Sequence, residues 1–321
     1  MKDKPILIVA GEPNSIFSEI FLKSITHKKF KSPIVLIISL DLFTKQIKYL
    51  NFKKKINIID PKNLANLNLN NKKINIINVE YKYHKIFNKI SSHSKKYINK
   101  CFDIAFSILK KKITNKLING PINKKYFLNK KYLGITEYIA KKFKIKKKAM
   151  LIFNKSLSVS PITTHLPLKL VSKNINKKII EEKILLIENF YKKIIGIKPK
   201  IAVTGLNPHC ESIDSYNEDE KVIKPIIHDL RKKKINIEGP IPADTIFLKF
   251  NRDKYDVIVG MYHDQVLTPI KTLFEYDAIN ITLGLPFLRV SPDHGPNENM
   301  LGKNLSNPMS LIRALEFLDK K

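Results

Sequence analysis

The chain has 321 residues, 43% hydrophobic and 27% charged, which is the balance of a folded globular protein long enough for two domains. Its net charge of +31 comes largely from short lysine blocks such as Lys53-Lys54-Lys55 and Lys232-Lys233-Lys234, interleaved with Ile and Asn. With arginine scarce and no paired Cys/His finger, nucleic acid is not expected as the main partner.

The first apolar stretch, Pro5 to Ala10, is too short for a signal peptide's apolar region, and no later run approaches the roughly 20 residues that span a bilayer. A cytoplasmic protein with no membrane partner is expected. The β-branched runs Pro5 to Ala10, Pro33 to Ser39, Ile56 to Ile59 and Ile74 to Val79 predict strands, followed by Ala149 to Phe153, Lys200 to Thr204 and Val257 to Met261. Between them Ser15 to Ile25, Lys96 to Lys111, Asn174 to Ile194 and Glu218 to Lys233 predict helices. Strand-helix alternation places the protein in the α/β class with a mainly parallel sheet. No G-x-G-x-x-G fingerprint is present, so any nucleotide is held without the usual Rossmann turn. Cys101 and Cys210 are read as unconnected reduced thiols.

Polar residues collect after the later strands. His165 lies in Thr163-Thr164-His165-Leu166-Pro167, His209 in Gly205-Leu206-Asn207-Pro208-His209, and His263 in Met261-Tyr262-His263-Asp264-Gln265. All three follow carboxyl ends of strand-like runs, where open α/β sheets carry ligands. Neutral imidazoles from separate strands suit a divalent ion such as Zn²⁺, Co²⁺ or Mn²⁺. Of the other histidines, His27, His84, His93 and His228 sit in lysine-rich surroundings and read as surface residues, whereas His294 lies in a polar loop. Lys271, Asn280 and Arg289 are spaced along the segment after His263 and would suit a phosphorylated or carboxylated small molecule.

These segments, with Gly239-Pro240-Ile241-Pro242-Ala243-Asp244-Thr245 and Leu283-Gly284-Leu285-Pro286-Phe287-Leu288-Arg289, resemble the successive signatures of the 4-hydroxythreonine-4-phosphate dehydrogenase family. Gly120-Pro121-Ile122-Asn123-Lys124 and Gly134-Ile135-Thr136-Glu137-Tyr138 resemble two more. The resemblance implies a two-domain isocitrate/isopropylmalate dehydrogenase-like fold with the active site in the interdomain cleft. The expected subdomains are residues 1–127 plus 290–321, and 128–289. It also implies a homodimer whose metal site takes histidines from both subunits.

Carried over residue by residue, the resemblance makes His165, His209 and His263 the ligands of one divalent ion (Zn, Co, Mn or Mg). Thr136, Lys271, Asn280 and Arg289 would hold the substrate. Asp244, Asp264 and Lys271 would serve in proton transfer or orientation, and Asp293, His294 and Gly295 would lie beside NAD or NADP. The implied reaction is oxidation of 4-phosphohydroxy-L-threonine to a β-keto acid, which decarboxylates to 3-amino-2-oxopropyl phosphate on the route to pyridoxal 5'-phosphate. Three departures stand out. Ile135 replaces the family's histidine before the threonine, residues 11–19 have lost most of the family's glycines, and residues 296–300 replace its small residues. Ile135 favours, as an alternative, a paralogue acting on another phosphorylated hydroxy acid; a nonenzymatic, nucleic-acid-associated protein is a third reading, opposed by retention of the histidines, Lys271 and Arg289.

Overall fold

The computed structural model describes residues 3–129, 131–213, 216–292 and 294–321. The Ile/Val-rich runs form strands β1 (Ile6–Val9), β2 (Ile34–Ile38), β3 (Ile56–Ile58), β4 (Ile74–Asn78) and β5 (Lys116–Asn119). Later come β6 (Ala149–Phe153), β7 (Ser158–Pro161), β8 (Ile201–Thr204), β9 (Ile237–Ile241), β10 (Val257–Gly260), β11 (Ile279–Leu283) and β12 (Leu288–Pro292). The helices are α1 (Phe17–His27), α2 (Leu40–Tyr49), α3 (Lys95–Lys110), α4 (Ile135–Lys142), α5 (Val171–Asn174) and α6 (Lys177–Phe190). They continue with α7 (Lys224–Lys232), α8 (Ala243–Ile246), α9 (Lys249–Arg252), α10 (His263–Phe274) and α11 (Met309–Asp319).

The chain divides into two compact units, Met1–Lys142 with Pro286–Lys321, and Phe143–Leu285. The first boundary falls after α4 and the second before β12, in place of the 127/128 and 289/290 divisions read from sequence. Thr136 and Arg289 therefore belong to the first unit, not to the segment that carries the histidines.

In the first unit the strands run in the order β3-β4-β2-β1-β5-β12 with every pair parallel. Its inner strands β1 and β2 are buried at every residue, as continuous apolar runs require when helices cover both faces. At the edge, β3 is only partly covered.

The second unit has the order β11-β6-β7-β10-β8-β9. β6 pairs antiparallel with both β11 and β7, whereas β7, β10, β8 and β9 are mutually parallel along the ladder. Val159, Ala202, Ile258 and Val266 form part of a buried cluster that fixes α10 against this parallel block. The mixed α/β class expected from strand-helix alternation is the class observed. Cys101 and Cys210 are both free and buried, and no helix among the described residues is long and apolar enough to cross a membrane.

Candidate active site at the carboxyl ends of four parallel strands

The parallel block of the second unit carries one candidate residue beyond each strand's carboxyl end. His165 follows β7, His263 follows β10, His209 follows β8 and Asp244 follows β9. These strands are neighbours in that order, so four segments distant in sequence reach one sheet edge, where backbone ladders end and open α/β sheets carry ligands.

Local hydrogen bonds hold these loops. Ile162 and Thr163 continue the ladder beyond β7, donating to Gly260 O at 2.7 Å and Met261 O at 3.1 Å. The Thr163 hydroxyl donates to Met261 O at 2.8 Å. Gln265, in the first turn of α10, ties the next two loops together. Its Oε1 accepts from Met261 N at 2.7 Å and from Thr204 Oγ1 at 2.8 Å, and its Nε2 donates to Gly205 O at 2.8 Å. Gly260 permits this crossing, because a methyl group there would lie 2.4 Å from Val266 Cγ1 and 3.0 Å from Gln265 Oε1.

The His209 loop is organised by Asp219, a fully buried carboxylate. Its oxygens accept from Leu206 N at 2.7 Å, Asn207 N at 3.1 Å and Asn207 Nδ2 at 3.0 Å. Within this loop His209 and Cys210 have φ values of 56° and 63°, and His165 has 57°. These left-handed conformations are uncommon outside glycine and cluster where a surrounding structure enforces them. Burial raises the Cys210 thiol's pKa, and nearby Asp219 adds to the effect.

His165 and His263 stand with ring centroids 6.0 Å apart. Asp264 Oδ1 lies 2.6 Å from His263 Nδ1; in a neutral imidazole this acceptor-only partner favours the tautomer with the proton on Nδ1 and the lone pair on Nε2. A carboxylate-held imidazole of this kind is the usual support of a metal-binding histidine. The donor chemistry thus suits a divalent ion, but among the described residues no group of three His, Cys, Asp or Glu side chains comes together to hold one. A single chain supplies an open pair, and His209 does not join it.

The other expected residues fall as follows. Lys271 is exposed in the last turn of α10, eight residues after His263 and so about 12 Å further along the axis. Asp244 and Asp264 are exposed. Asn280 lies on β11, with its Oδ1 buried and without a hydrogen-bond partner. In the first unit, Thr136 is half-buried in α4. Arg289 is fully buried on β12 and donates through Nε to Asn119 Oδ1 at 2.8 Å. Burial pulls its guanidinium down to about 10, with the Glu137 carboxylate acting in the opposite direction. His294 Nδ1 lies 3.1 Å from Gly295 O, and Asp293 lies outside the described residues. His27, His84, His93 and His228 are exposed, as their surroundings implied.

Glu12, in the opening segment that resembles the family only weakly, is a further polar group to which the sequence assigns no role. In the first unit Gly11 takes a φ of 82°, and a methyl group on it would lie 2.3 Å from Pro121 O. This close approach seats Glu12, whose Oε2 accepts from Ser94 Oγ at 2.8 Å. Burial lifts the Glu12 carboxyl from 4.5 to about 7.

By fold the protein belongs to the mixed α/β class. Its sequence matches the family described as "Pyridoxal phosphate biosynthetic protein PdxA" over residues 29–318, and the chain belongs to that family. It is 36% identical over 326 aligned residues to a 4-hydroxythreonine-4-phosphate dehydrogenase of Sulfurihydrogenibium sp. (strain YO3AOP1), covering 97% of this chain and 96% of the relative. It is 28% identical to a D-threonate 4-phosphate dehydrogenase of Salmonella typhimurium (strain LT2), covering 92% of each. A crystal structure of the 4-hydroxythreonine-4-phosphate dehydrogenase from Klebsiella pneumoniae superposes with a TM-score of 0.86 at 27% identity, covering 99% of both chains.

Proposed function

We propose that this protein is a 4-hydroxythreonine-4-phosphate dehydrogenase of vitamin B6 synthesis, dependent on NAD(P) and a divalent metal. The observation that carries the reading is the placement of His165, His263 and His209 beyond three neighbouring parallel strands in a chain of this family. His165, His263 and His209 would hold the metal, and a homodimer sharing each site, as the family resemblance implies, would bring His209 to the His165–His263 pair. When bound, the metal supplies a Lewis acid for the substrate's secondary hydroxyl, and the nicotinamide supplies the hydride acceptor.

The chain's own residues perform the rest. Asp264 fixes the His263 tautomer and ring orientation through the 2.6 Å contact. Asn280 offers an unsatisfied buried acceptor, which favours a donor on a ligand. Lys271, two turns along α10 from His263, would serve a substrate group remote from the reacting hydroxyl or deliver a proton after oxidation. By family resemblance Thr136 and Arg289 would also hold substrate, the buried Arg289 as a cation whose attraction for an anion burial strengthens. His294, Gly295 and Asp293 would contact the cofactor. The oxidation product, a β-keto acid, then loses CO₂.

A second reading, the same chemistry on another phosphorylated hydroxy acid, is favoured by Ile135. This half-buried, apolar residue at the start of α4 donates no hydrogen bond where the family pattern has histidine. Initial rates of NAD⁺ and NADP⁺ reduction with 4-phosphohydroxy-L-threonine and with D-threonate 4-phosphate separate the two. Faster turnover of the former by tenfold or more supports the B6 assignment; the reverse order transfers it to the second reading.

A further inference from the structure

The first unit contains a cavity of about 370 Å³ that has no part in the site described above. Its floor is apolar: Phe21 and Ile25 from α1, Phe30, Ile34 at the start of β2, and Ile74 at the start of β4. Its rim carries Lys28, Lys29, Lys54, Lys72 and Lys73, and no carboxylate lines it. Ile34 and Ile74 are the first residues of their strands, and Lys54 lies two residues before the start of β3. The cavity therefore opens at the amino-terminal edge of the parallel strands, whereas Gly11 and Glu12 follow the carboxyl end of β1.

Two features separate this rim from the general lysine excess. The lysines surround a concave apolar floor in which Phe21, Phe30, Ile34 and Ile74 are already withdrawn from water. Their charge is also largely unbalanced. Lys28 pairs with Glu316, but among the described residues Lys29, Lys54, Lys72 and Lys73 form no ion pair. Asn71 is committed to structure, accepting from Ile34 N and donating to Phe30 O and Ser32 O, so it holds the rim and leaves recognition to the lysines. Cavities of a few hundred cubic ångströms with apolar linings and a few convergent polar groups are the usual form of small-molecule sites.

We infer that this cavity binds an organic phosphate monoester with an aromatic or aliphatic body, at a second site separate from the candidate active site. A phosphate ester carries about −1.5 to −2 charges near neutrality, against one for a carboxylate, and several lysines lining one cavity favour the more highly charged anion. Its apolar body would cover Ile25, the half-buried member of the floor.

Calorimetric titration of the full chain with 1-naphthyl phosphate tests the inference, with 1-naphthol and inorganic phosphate titrated alongside. The salt is held at about 0.15 M, where the Debye length is roughly 8 Å and diffuse attraction to the net charge is damped. The expected result is saturable binding of one 1-naphthyl phosphate per chain, at least tenfold tighter than either fragment. Lys54→Gln/Lys73→Gln weakens it at least tenfold, while Lys177→Gln/Lys178→Gln on α6 leaves it unchanged. Inorganic phosphate binding as tightly, equal weakening by both double variants, or no weakening by the first overturns the assignment. Each of these exposed lysines accepts glutamine without a cost in folding, and the readout is independent of dehydrogenase turnover.

Discussion

Asp219 anchors the loop that presents His209, and replacing it separates a structural account of that loop from an incidental one. The Asp219→Ala variant removes the acceptor of three bonds of 2.7, 3.1 and 3.0 Å in a fully buried position. Hydrogen bonds to charged groups contribute about 1.5–3 kcal/mol each, so a plain sum reaches roughly 5–9 kcal/mol. The sum overshoots, because burying the carboxylate is itself costly and losses within one network do not add. What remains is two backbone N–H groups and one amide deprived of an acceptor, a net cost of about 3–5 kcal/mol. For a domain of this size that lowers the melting temperature by about 6–20 °C. Asp219→Asn keeps the volume and one acceptor oxygen and costs about 1–2 kcal/mol. The protein has no tryptophan, so urea and thermal unfolding are followed by circular dichroism. The variant also loses turnover, since the left-handed conformations of His209 and Cys210 are no longer enforced. An Asp219→Ala protein within about 1 kcal/mol of the parent, or one retaining full turnover, refutes this account of the loop.

Further outcomes follow from neighbouring groups. Glu12 has its folded-state pKa raised from 4.5 to about 7 by burial, so ionising it opposes folding. Its penalty is absent below about 4.5, grows through that window and reaches roughly 3 kcal/mol above it. Glu12→Gln therefore gains stability over the parent at pH 8 but not at pH 4, as measured by urea midpoints; a gap independent of pH contradicts the assignment. Asp264→Asn loosens the His263 imidazole and lowers metal affinity about 10–100-fold, read by competition with a chromophoric chelator; unchanged affinity removes Asp264 from its orienting role. His209→Ala and His263→Ala are each inactive alone, but refolded together they recover up to roughly a quarter of the parent's activity if a two-fold dimer shares each site. No recovery, with mixed dimers demonstrated by mass spectrometry, rules out sharing of these two histidines across the interface.

Much of the site was legible because strands buried on both faces announce themselves as uninterrupted Ile/Val runs, and the polar residues that end them are conspicuous. Lys200 to Thr204 and Val257 to Met261 were read within a residue of β8 and β10, which placed His209 and His263 at strand ends. The strands that escaped notice carry chemistry of their own. β9 is interrupted by Gly239-Pro240, β11 carries Asn280, and β12 carries the buried Arg289. β5 begins with Lys116, whose ammonium reaches Ser32 Oγ at 3.1 Å while burial lowers its pKa. The apolar run ending at Arg289 turns at Gly284, where φ is 91°; only three-dimensional pairing shows that it divides between β11 and β12. Asp219 was hidden for a different reason. It lies among Asn217, Glu218 and Glu220 in what reads as a solvated helix start, and its role depends on a loop 12 residues away. The positive φ at His165 and His209 has no glycine to signal it. The unit boundaries carry no compositional break, so nothing in the sequence separates Thr136 and Arg289 from the segment of the histidines.

The most direct test of the central claim is turnover of 4-phosphohydroxy-L-threonine by chelator-stripped protein before and after addition of Zn²⁺, Co²⁺, Mn²⁺ or Mg²⁺, read as cofactor reduction in parent and His209→Ala chains. Metal-restored turnover in the parent and none in the variant is the predicted result. Full turnover by the stripped protein, or equal restoration in the variant, contradicts the assignment of the three histidines to a catalytic metal.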